Sequence, residues 1–403
     1  MKKQIVWIFI LLPIFKCLSQ KGAIEKIEFK NQYQFGSDIE HKVSTDTVPW
    51  KYQKSASEYA LKGDYKNALK HWELAMKKGT DANNYTLRQK DSINQKYHIV
   101  SASEYILEES KKNQIIIINE AHTNSFHRIY TKSLLQELYN NGYKNLGLEA
   151  LGLDSLLHER KYPTQETGYY TKDPQFGNLI RDALAIGYHL FSYEDREGNN
   201  GKLREIGQAK NIQKVIQEKP NEKFLIHCGH GHVLEGNYKP WEKTMAGRLL
   251  EYTGINPFTI NQTFYSERSK VECNNLLLQA LTPKEPSILL DENNVPLKFE
   301  RGECWTDVAI LHPITKYIDD RPSWLFDSKN INVAIELKEI DIPYPLMVFA
   351  FKKGDNINEA VPIDIYEVKN KTTSPHLALP KGKYEIVVVN KKDEARKFEL
   401  EIE

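Results

Sequence analysis

Residues 115–122 read Ile-Ile-Ile-Ile-Asn-Glu-Ala-His, and this stretch decides the fold class of the central part of the chain. Four consecutive β-branched apolar residues predict a short strand that is covered on both faces, as in a parallel sheet. Residues 125–141 then carry apolar side chains at helical spacing, and Gly142 ends the pattern. The stretch therefore predicts a βα unit.

The same alternation recurs as far as about residue 268. We predict further strands at residues 146–148, 188–193, 223–228 and 257–261, and helices at 178–186, 203–217 and 244–253. Alternation of this kind predicts an α/β fold with a mostly parallel sheet and helices on both faces. We assign this domain to residues 101–328.

Two different patterns flank this domain. Residues 50–100 contain small and aromatic residues at the spacing of a single tetratricopeptide-like helical hairpin, which we expect to pack on the domain that follows, with peptide docking as the alternative. Residues 329–403 form short alternating apolar runs separated by turn residues. They predict a small C-terminal β-sandwich, a possible surface for protein docking.

The N-terminus has the pattern of a signal peptide. Lys2 and Lys3 precede an apolar run over residues 5–15, and Cys17-Leu18-Ser19 offers a cleavage site. The apolar run is too short for a transmembrane helix. We therefore predict a signal peptide at residues 1–19, an exported protein in the periplasm or outside the cell, and no integral membrane segment after cleavage.

The charge balance argues against a polyanionic partner. The 403 residues contain 55 Lys and Arg against 54 Asp and Glu, a formal net charge of +1. Binding to nucleic acid depends on many cations placed against phosphates. We therefore predict no nucleic-acid partner and expect a small-molecule or peptide substrate.

Titratable residues follow each of the first four predicted strands. Glu120 and His122 follow the first, Glu149 the second, residues 194–196 (Glu-Asp-Arg) the third, and residues 229–232 (Gly-His-Gly-His) the fourth. Ligands of open α/β sheets bind beyond the carboxyl ends of the strands. This convergence predicts a metal or acid/base site. His230 and His232 would share one face of an extended backbone, which suits paired metal ligation or a histidine base.

These residues also resemble a known group of families. Glu120-x-His122, Glu149, the segment that begins Arg204-Glu205 and Gly229-x-x-His232 together resemble the erythromycin esterase, ChaN-like and TIKI/TraB superfamily over about residues 100–268. The resemblance implies that His122 and His232 are the motif histidines, with Glu120, Glu149 and Arg204 beside them. Asn119 stands where the family usually has glycine. The Glu120–His122 spacing is nearer to the ChaN-like branch, associated with haem or iron, and to the TIKI branch, associated with metal-dependent peptide cleavage.

Two mechanisms and two other functions follow as expectations. An exported hydrolase would cleave an ester or amide, either with a divalent Mn, Co or Zn ion on Glu120, His122, His230 and His232, or with His122 as the base. Without a metal, Glu120 or Glu149 would orient His122, and Arg204 with His232 would stabilise the oxyanion. The alternatives are a haem- or iron-binding ChaN-like protein without catalysis and an interaction scaffold.

A loop at residues 163–176, rich in Tyr, Thr, Gly and Pro, separates the second strand from the next helix. Loops of this length are often functional. We predict a lid over the crevice with Tyr169 and Tyr170 as its contact residues, and a plain surface loop as the alternative.

Overall fold

A computed structural model describes residues 20–76, 85–326 and 329–403. The predicted signal peptide at residues 1–19 lies outside these ranges. No helix within them has both the length and the apolar character that crossing a bilayer requires.

The secondary-structure elements fall into three consecutive stretches of the chain. The N-terminal elements are β1 (Gln20–Glu28), α1 (Gly36–Thr45), α2 (Lys51–Leu61), α3 (Tyr65–Ala75) and α4 (Leu87–Lys96). The central elements are β2 (His98–Ser101), α5 (Ala102–Lys112), β3 (Ile115–Glu120), α6 (Ser125–Asn140), β4 (Tyr143–Leu148), α7 (Leu157–Arg160), α8 (Pro174–Ile186), β5 (His189–Ser192), α9 (Gly201–Glu218), β6 (Lys223–Gly229), β7 (Glu235–Gly236), α10 (Met245–Thr253), β8 (Phe258–Asn261), α11 (Leu276–Leu281), β9 (Ser287–Leu290), β10 (Phe299–Arg301), β11 (Cys304–Thr306) and β12 (Val308–Ala309). The C-terminal elements are β13 (Tyr317–Ile318), β14 (Arg321–Pro322), β15 (Asn330–Ala334), β16 (Leu346–Lys352), β17 (Asp364–Val368), β18 (His376–Pro380), β19 (Gly382–Asn390) and β20 (Glu394–Ile402).

The central sheet has the strand order β12-β8-β3-β6-β4-β5, and each neighbouring pair is parallel. The predicted α/β class, with a large parallel sheet flanked by helices, is therefore confirmed. The helix predicted at residues 178–186 begins earlier, at Pro174, because the Asp173 side chain accepts the backbone N–H of Gln175 and caps it.

Apolar cores cover both faces of this sheet, which explains the continuous apolar run of β3. Ile116 and Ile118 belong to a core that contains residues of α5, α6 and α8. Ile115 and Ile117 point to the opposite face and join residues of α9 and α10. Alternate residues of a strand point to opposite faces, so all four isoleucines are buried.

The predicted C-terminal strands are present, and the sheet they form also includes an N-terminal strand. Its order is β1-β20-β19-β16-β17, and its pairs are antiparallel. The β15–β18 ribbon covers one face, where Val333 and Leu377 join the same core as Val348 and Val388. Residues 329–403 therefore do not build this sheet alone, because β1 pairs with β20.

The predicted helical hairpin is formed by α2 and α3 and lies against the central domain. Tyr65 packs on Trp324 with ring centroids 5.0 Å apart, and Glu73 accepts a hydrogen bond from Nε of Arg268 at 2.7 Å.

Candidate active site

The order of the strands brings the predicted residues together. β6 lies between β3 and β4. The register places Glu120 opposite Gly229, and the backbone N–H of Glu149 donates to the carbonyl of His227 at 3.2 Å. The side chains that follow these three strands therefore share one crevice at the carboxyl edge of the sheet.

Glu120 is buried and held by a guanidinium group from α6. Arg128 donates from Nε to Oε2 of Glu120 at 2.6 Å and from Nη2 to Oε1 at 2.7 Å, while its Nη1 donates to Asp173 at 2.7 Å. Burial alone would raise the pKa of Glu120. The charge and hydrogen bonds of Arg128 outweigh that effect and hold the pKa well below its ordinary value. Glu120 is therefore an anion at neutral pH.

His122 is oriented by this carboxylate. Its Nδ1 lies 2.9 Å from Oε1 of Glu120, and because an ionised carboxylate can only accept, Nδ1 carries the proton, so that in the neutral imidazole the lone pair is on Nε2. Among the described residues, Nε2 has no hydrogen-bond partner. The Tyr170 ring stacks on the imidazole at 3.9 Å and 11°. A Cβ at position 229 would lie 2.4 Å from the imidazole, so Gly229 leaves room for it.

Glu149 is the centre of a second, adjoining cluster. Its Oε2 accepts the backbone N–H of Gly229 at 2.5 Å, and its Oε1 accepts from Nη2 of Arg204 at 2.6 Å. Burial would raise the pKa of Glu149, but the electrostatic effects of His232, His122 and Arg204 outweigh burial and lower it to about 2. This carboxylate is also an anion at neutral pH.

His232 lies between carboxylates and a guanidinium group. Its Nδ1 is 2.5 Å from Oε1 of Glu205, and its Nε2 is 3.4 Å from Oε1 of Glu149. Burial would lower the pKa of His232, but these carboxylates outweigh burial and raise it. Nη1 of Arg204 is 3.0 Å from Nε2 of His232. Nε of Arg204 donates to Glu194 at 2.8 Å. The Arg204 side chain keeps 34% of its surface exposed, so the guanidinium reaches the crevice.

His230 does not share a face with His232. Residues His230–Val233 form a 3₁₀ turn, so the expectation of an extended backbone is wrong. His230 has a left-handed φ of 37°, and its carbonyl accepts from Nδ2 of Asn119 at 2.6 Å. Its ring stacks on Trp72 at 5.1 Å and meets His122 edge-on at 5.2 Å. Burial chiefly lowers the pKa of His230, to about 4.

The predicted metal ligands Glu120, His122, His230 and His232 do not form a ligand set. In the part of the chain that the structure describes, no group of three or more His, Cys, Asp or Glu side chains is placed to hold a metal ion. Both oxygens of Glu120 already accept from Arg128, and a divalent cation there would be repelled by the guanidinium. This donor set does not fit a metal, so the chemistry of the site is derived from its side chains alone.

The five predicted catalytic residues do converge. Glu120 and His122 form one cluster, Glu149, Arg204 and His232 form the other, and Gly229 contacts both. Of the predicted lid residues, Tyr170 covers His122, whereas Tyr169 is 50% exposed.

Sequence reasoning assigned no role to four residues that complete the site. These are Trp72, Arg128, Asp173 and Glu205. One signal for Arg128 was available, since it lies among apolar residues of α6 and a buried cation requires a nearby anion. Nothing local indicates that Trp72 of the hairpin would reach His230.

Comparisons with known proteins found little. No protein-family model matches the chain, and no curated protein matches it. The type III effector HopBA1 shares 10% identity and a TM-score of 0.35 over 55% of this chain and 97% of that chain. RRSP, a MARTX toxin effector domain from Vibrio vulnificus CMCP6, shares 14% identity and a TM-score of 0.31 over 61% and 49%.

A structure described as bacterial protein toxins shares 13% identity and a TM-score of 0.31 over 53% of this chain. The chain spans about half the length of that protein, 46%. Similarity at this level says nothing about what this chain does.

Proposed function

We propose that the protein is a hydrolase in which His122 activates water against an ester or amide bond of a small-molecule or peptide substrate. The observation that carries the proposal is the pair formed by His122 and Glu120. The buried carboxylate lies 2.9 Å from Nδ1 and leaves the lone pair of Nε2 for a water molecule. This is the orientation that a general base requires.

The steps balance with the side chains present. Nε2 of His122 removes a proton from water while the water oxygen bonds to the carbonyl carbon and the carbonyl electron pair moves onto oxygen. Glu120 stabilises the imidazolium, and Arg128 keeps Glu120 ionised, so the proton stays on the imidazole. When the tetrahedral anion collapses, the bond to the leaving group breaks and His122 returns the proton to it.

Arg204 is the proposed donor to the oxyanion. Its Nε and Nη2 are used by Glu194 and Glu149, and Nη1 contacts His232, which leaves a second N–H on Nη1 for a substrate oxygen. Nε2 of His232 accepts from Nη1 at 3.0 Å and so helps to hold the guanidinium in position. One such donor typically contributes about 10²–10³ in rate.

Three further predictions from the sequence remain part of the proposal: the family resemblance, export from the cytoplasm and a docking role for the C-terminal region. It keeps the resemblance to the erythromycin esterase, ChaN-like and TIKI/TraB superfamily, with the motif residues assigned above. Export to the periplasm or the outside of the cell is also proposed, and it depends on residues 1–19 alone. A docking role for a C-terminal β-sandwich is proposed in the same way.

Chelation tests the choice between the two mechanisms. The full chain is incubated with a panel of activated esters and amides, before and after exhaustive treatment with a strong chelator. We expect turnover that the chelator leaves unchanged, because the proposed base is an imidazole. Loss of turnover that Mn, Co or Zn restores would contradict the metal-free mechanism. Absence of turnover together with a visible haem spectrum would favour the iron-binding alternative.

The stacked tyrosine gives a second prediction. Tyr170→Leu is expected to lower kcat about tenfold, because the His122 ring loses the surface that fixes its plane, whereas Tyr170→Phe should keep most of the activity. Steady-state kinetics on one ester measures both. Tyr317→Leu, at a 44% exposed tyrosine of β13, is the control. Equal losses in the Phe and Leu variants would show that the hydroxyl group matters and not the stacking.

A further inference from the structure

A cleft of about 820 Å³ adjoins the candidate active site at His230. Its walls include Leu234, Tyr238, Phe264 and Phe299. The rings of Phe264 and Phe299 pack with centroids 4.5 Å apart, yet Phe264 remains 54% exposed. A partly exposed aromatic ring on the wall of a cleft of this volume is typical of a ligand-binding surface.

His230 connects the cleft with the proposed base. It lines the cleft, and its ring meets the ring of His122 edge-on at 5.2 Å. Its left-handed backbone is unusual for a residue other than glycine, and strain of this kind concentrates at functional positions. Within residues 20–76, 85–326 and 329–403, no hydrogen bond to either ring nitrogen of His230 is formed. The residue therefore borders both the cleft and the catalytic pair.

Two polar residues of the cleft wall, Asn261 and Cys304, are hydrogen-bonded within the protein, while Lys239, Arg301 and Glu303 add charged groups to the lining. Oδ1 of Asn261 accepts the backbone N–H groups of Thr263 and Phe264, each at 3.0 Å. The thiol of Cys304 donates to the carbonyl of Asn237 at 3.0 Å. Leu234, Phe264 and Phe299 therefore offer an apolar contact surface within a cleft that also carries charged side chains.

We infer that this cleft binds an apolar aryl or alkyl group of the substrate while the scissile ester or amide lies over His122. The inference depends on the proposed hydrolase and narrows its substrate class. A substrate with such a group gains binding energy from Phe264 that a short acyl ester lacks. The group is attached on either the acyl or the alcohol side of the scissile bond.

The test compares esters that differ only in an aryl arm. The full chain is assayed with two matched pairs: 4-nitrophenyl acetate with 4-nitrophenyl 4-phenylbutyrate, which differ by an aryl arm on the acyl side, and butyl acetate with 4-phenylbutyl acetate, which differ by an aryl group on the alcohol side. Phe264→Ala is the probe because its side chain is largely exposed, and Ile331→Ala, 43% exposed on β15, is the control.

We expect at least one aryl ester to have about a tenfold higher kcat/KM than its short counterpart, since an apolar pocket contact is worth this much. Phe264→Ala should remove that preference by raising KM for the aryl ester, and it should leave kcat/KM for 4-nitrophenyl acetate unchanged. Ile331→Ala should have the kinetic constants of the native protein on every ester. Equal effects of Phe264→Ala on short and aryl esters, or no effect on either, would overturn the inference.

A binding measurement separates failure of the cleft from failure of the hydrolase. If no ester is cleaved, the proposed function fails, and calorimetric titration with 4-phenylbutyrate then tests the cleft alone. Binding by the full chain that is weakened about tenfold in Phe264→Ala supports the cleft. Binding of equal strength in both proteins, or no binding to the full chain, contradicts it.

Discussion

Replacing His122 by alanine is expected to lower kcat/KM for ester hydrolysis by about 10²–10⁴-fold, the usual contribution of a general base. The Nε2 atom is the proposed proton acceptor. His227 also lies near the same carboxylate, with Nε2 3.6 Å from Oε2 of Glu120, but its side chain is buried and does not present a base to the crevice. The side chain of His122 is 17% exposed, so its removal should leave the fold intact. Initial rates on one activated ester, with circular dichroism to verify folding, measure the effect.

Glu120→Gln tests the pair of His122 and Glu120 by changing the carboxylate. The amide can present its N–H₂ group to Nδ1, which favours the tautomer with the proton on Nε2 and abolishes its lone pair. We therefore expect kcat/KM to fall by a similar factor, although His122 itself is not substituted. His41→Ala, at an exposed histidine of α1, is the matched control and should retain full activity. A folded His122→Ala protein that hydrolyses the ester at the native rate would exclude His122 as the base.

The convergence of the five predicted residues could be predicted from the sequence because it follows from a rule about sheets. Residues after parallel strands meet at one edge, and runs such as Ile115–Ile118 identify the strands. The order of the strands was not predictable in the same way. β6 lies between β3 and β4, and this order decides that Gly229 donates its N–H to Glu149.

The remaining parts of the site depend on contacts between distant segments. Asp173 reaches Arg128 from 45 residues along the chain, and Trp72 reaches His230 from a separate hairpin. β1 pairs with β20 across most of the sequence, and charged residues such as those of β1 are typical of an edge strand. The 3₁₀ turn at 230–233 was missed for a local reason, since Gly-His-Gly-His permits both extended and turned backbone.

Arg128→Met is expected to lower the free energy of unfolding by about 3–5 kcal/mol at pH 7, the usual cost of leaving a buried charge without its partner. The guanidinium is fully buried and serves two carboxylates, Glu120 and Asp173, at 2.6–2.7 Å. Methionine fills much of the volume, so the loss reports charge and not a cavity. Urea denaturation followed by tryptophan fluorescence measures the difference.

The pH dependence distinguishes this explanation from a packing defect. In the native protein the lowered pKa of Glu120 stabilises the fold above its unfolded pKa of about 4.3, and that contribution disappears as the pH falls through the folded pKa. In the Arg128→Met variant, burial raises the pKa of Glu120 in the folded state, so this carboxylate takes up a proton as the pH falls. The difference in free energy of unfolding between variant and native protein therefore becomes smaller from about pH 7 to about pH 4. Arg396→Met is the control, since Arg396 pairs at 2.7 Å with Asp341, which is 72% exposed, and it should change stability little at either pH. A deficit for Arg128→Met that stays constant with pH would identify lost packing as its cause.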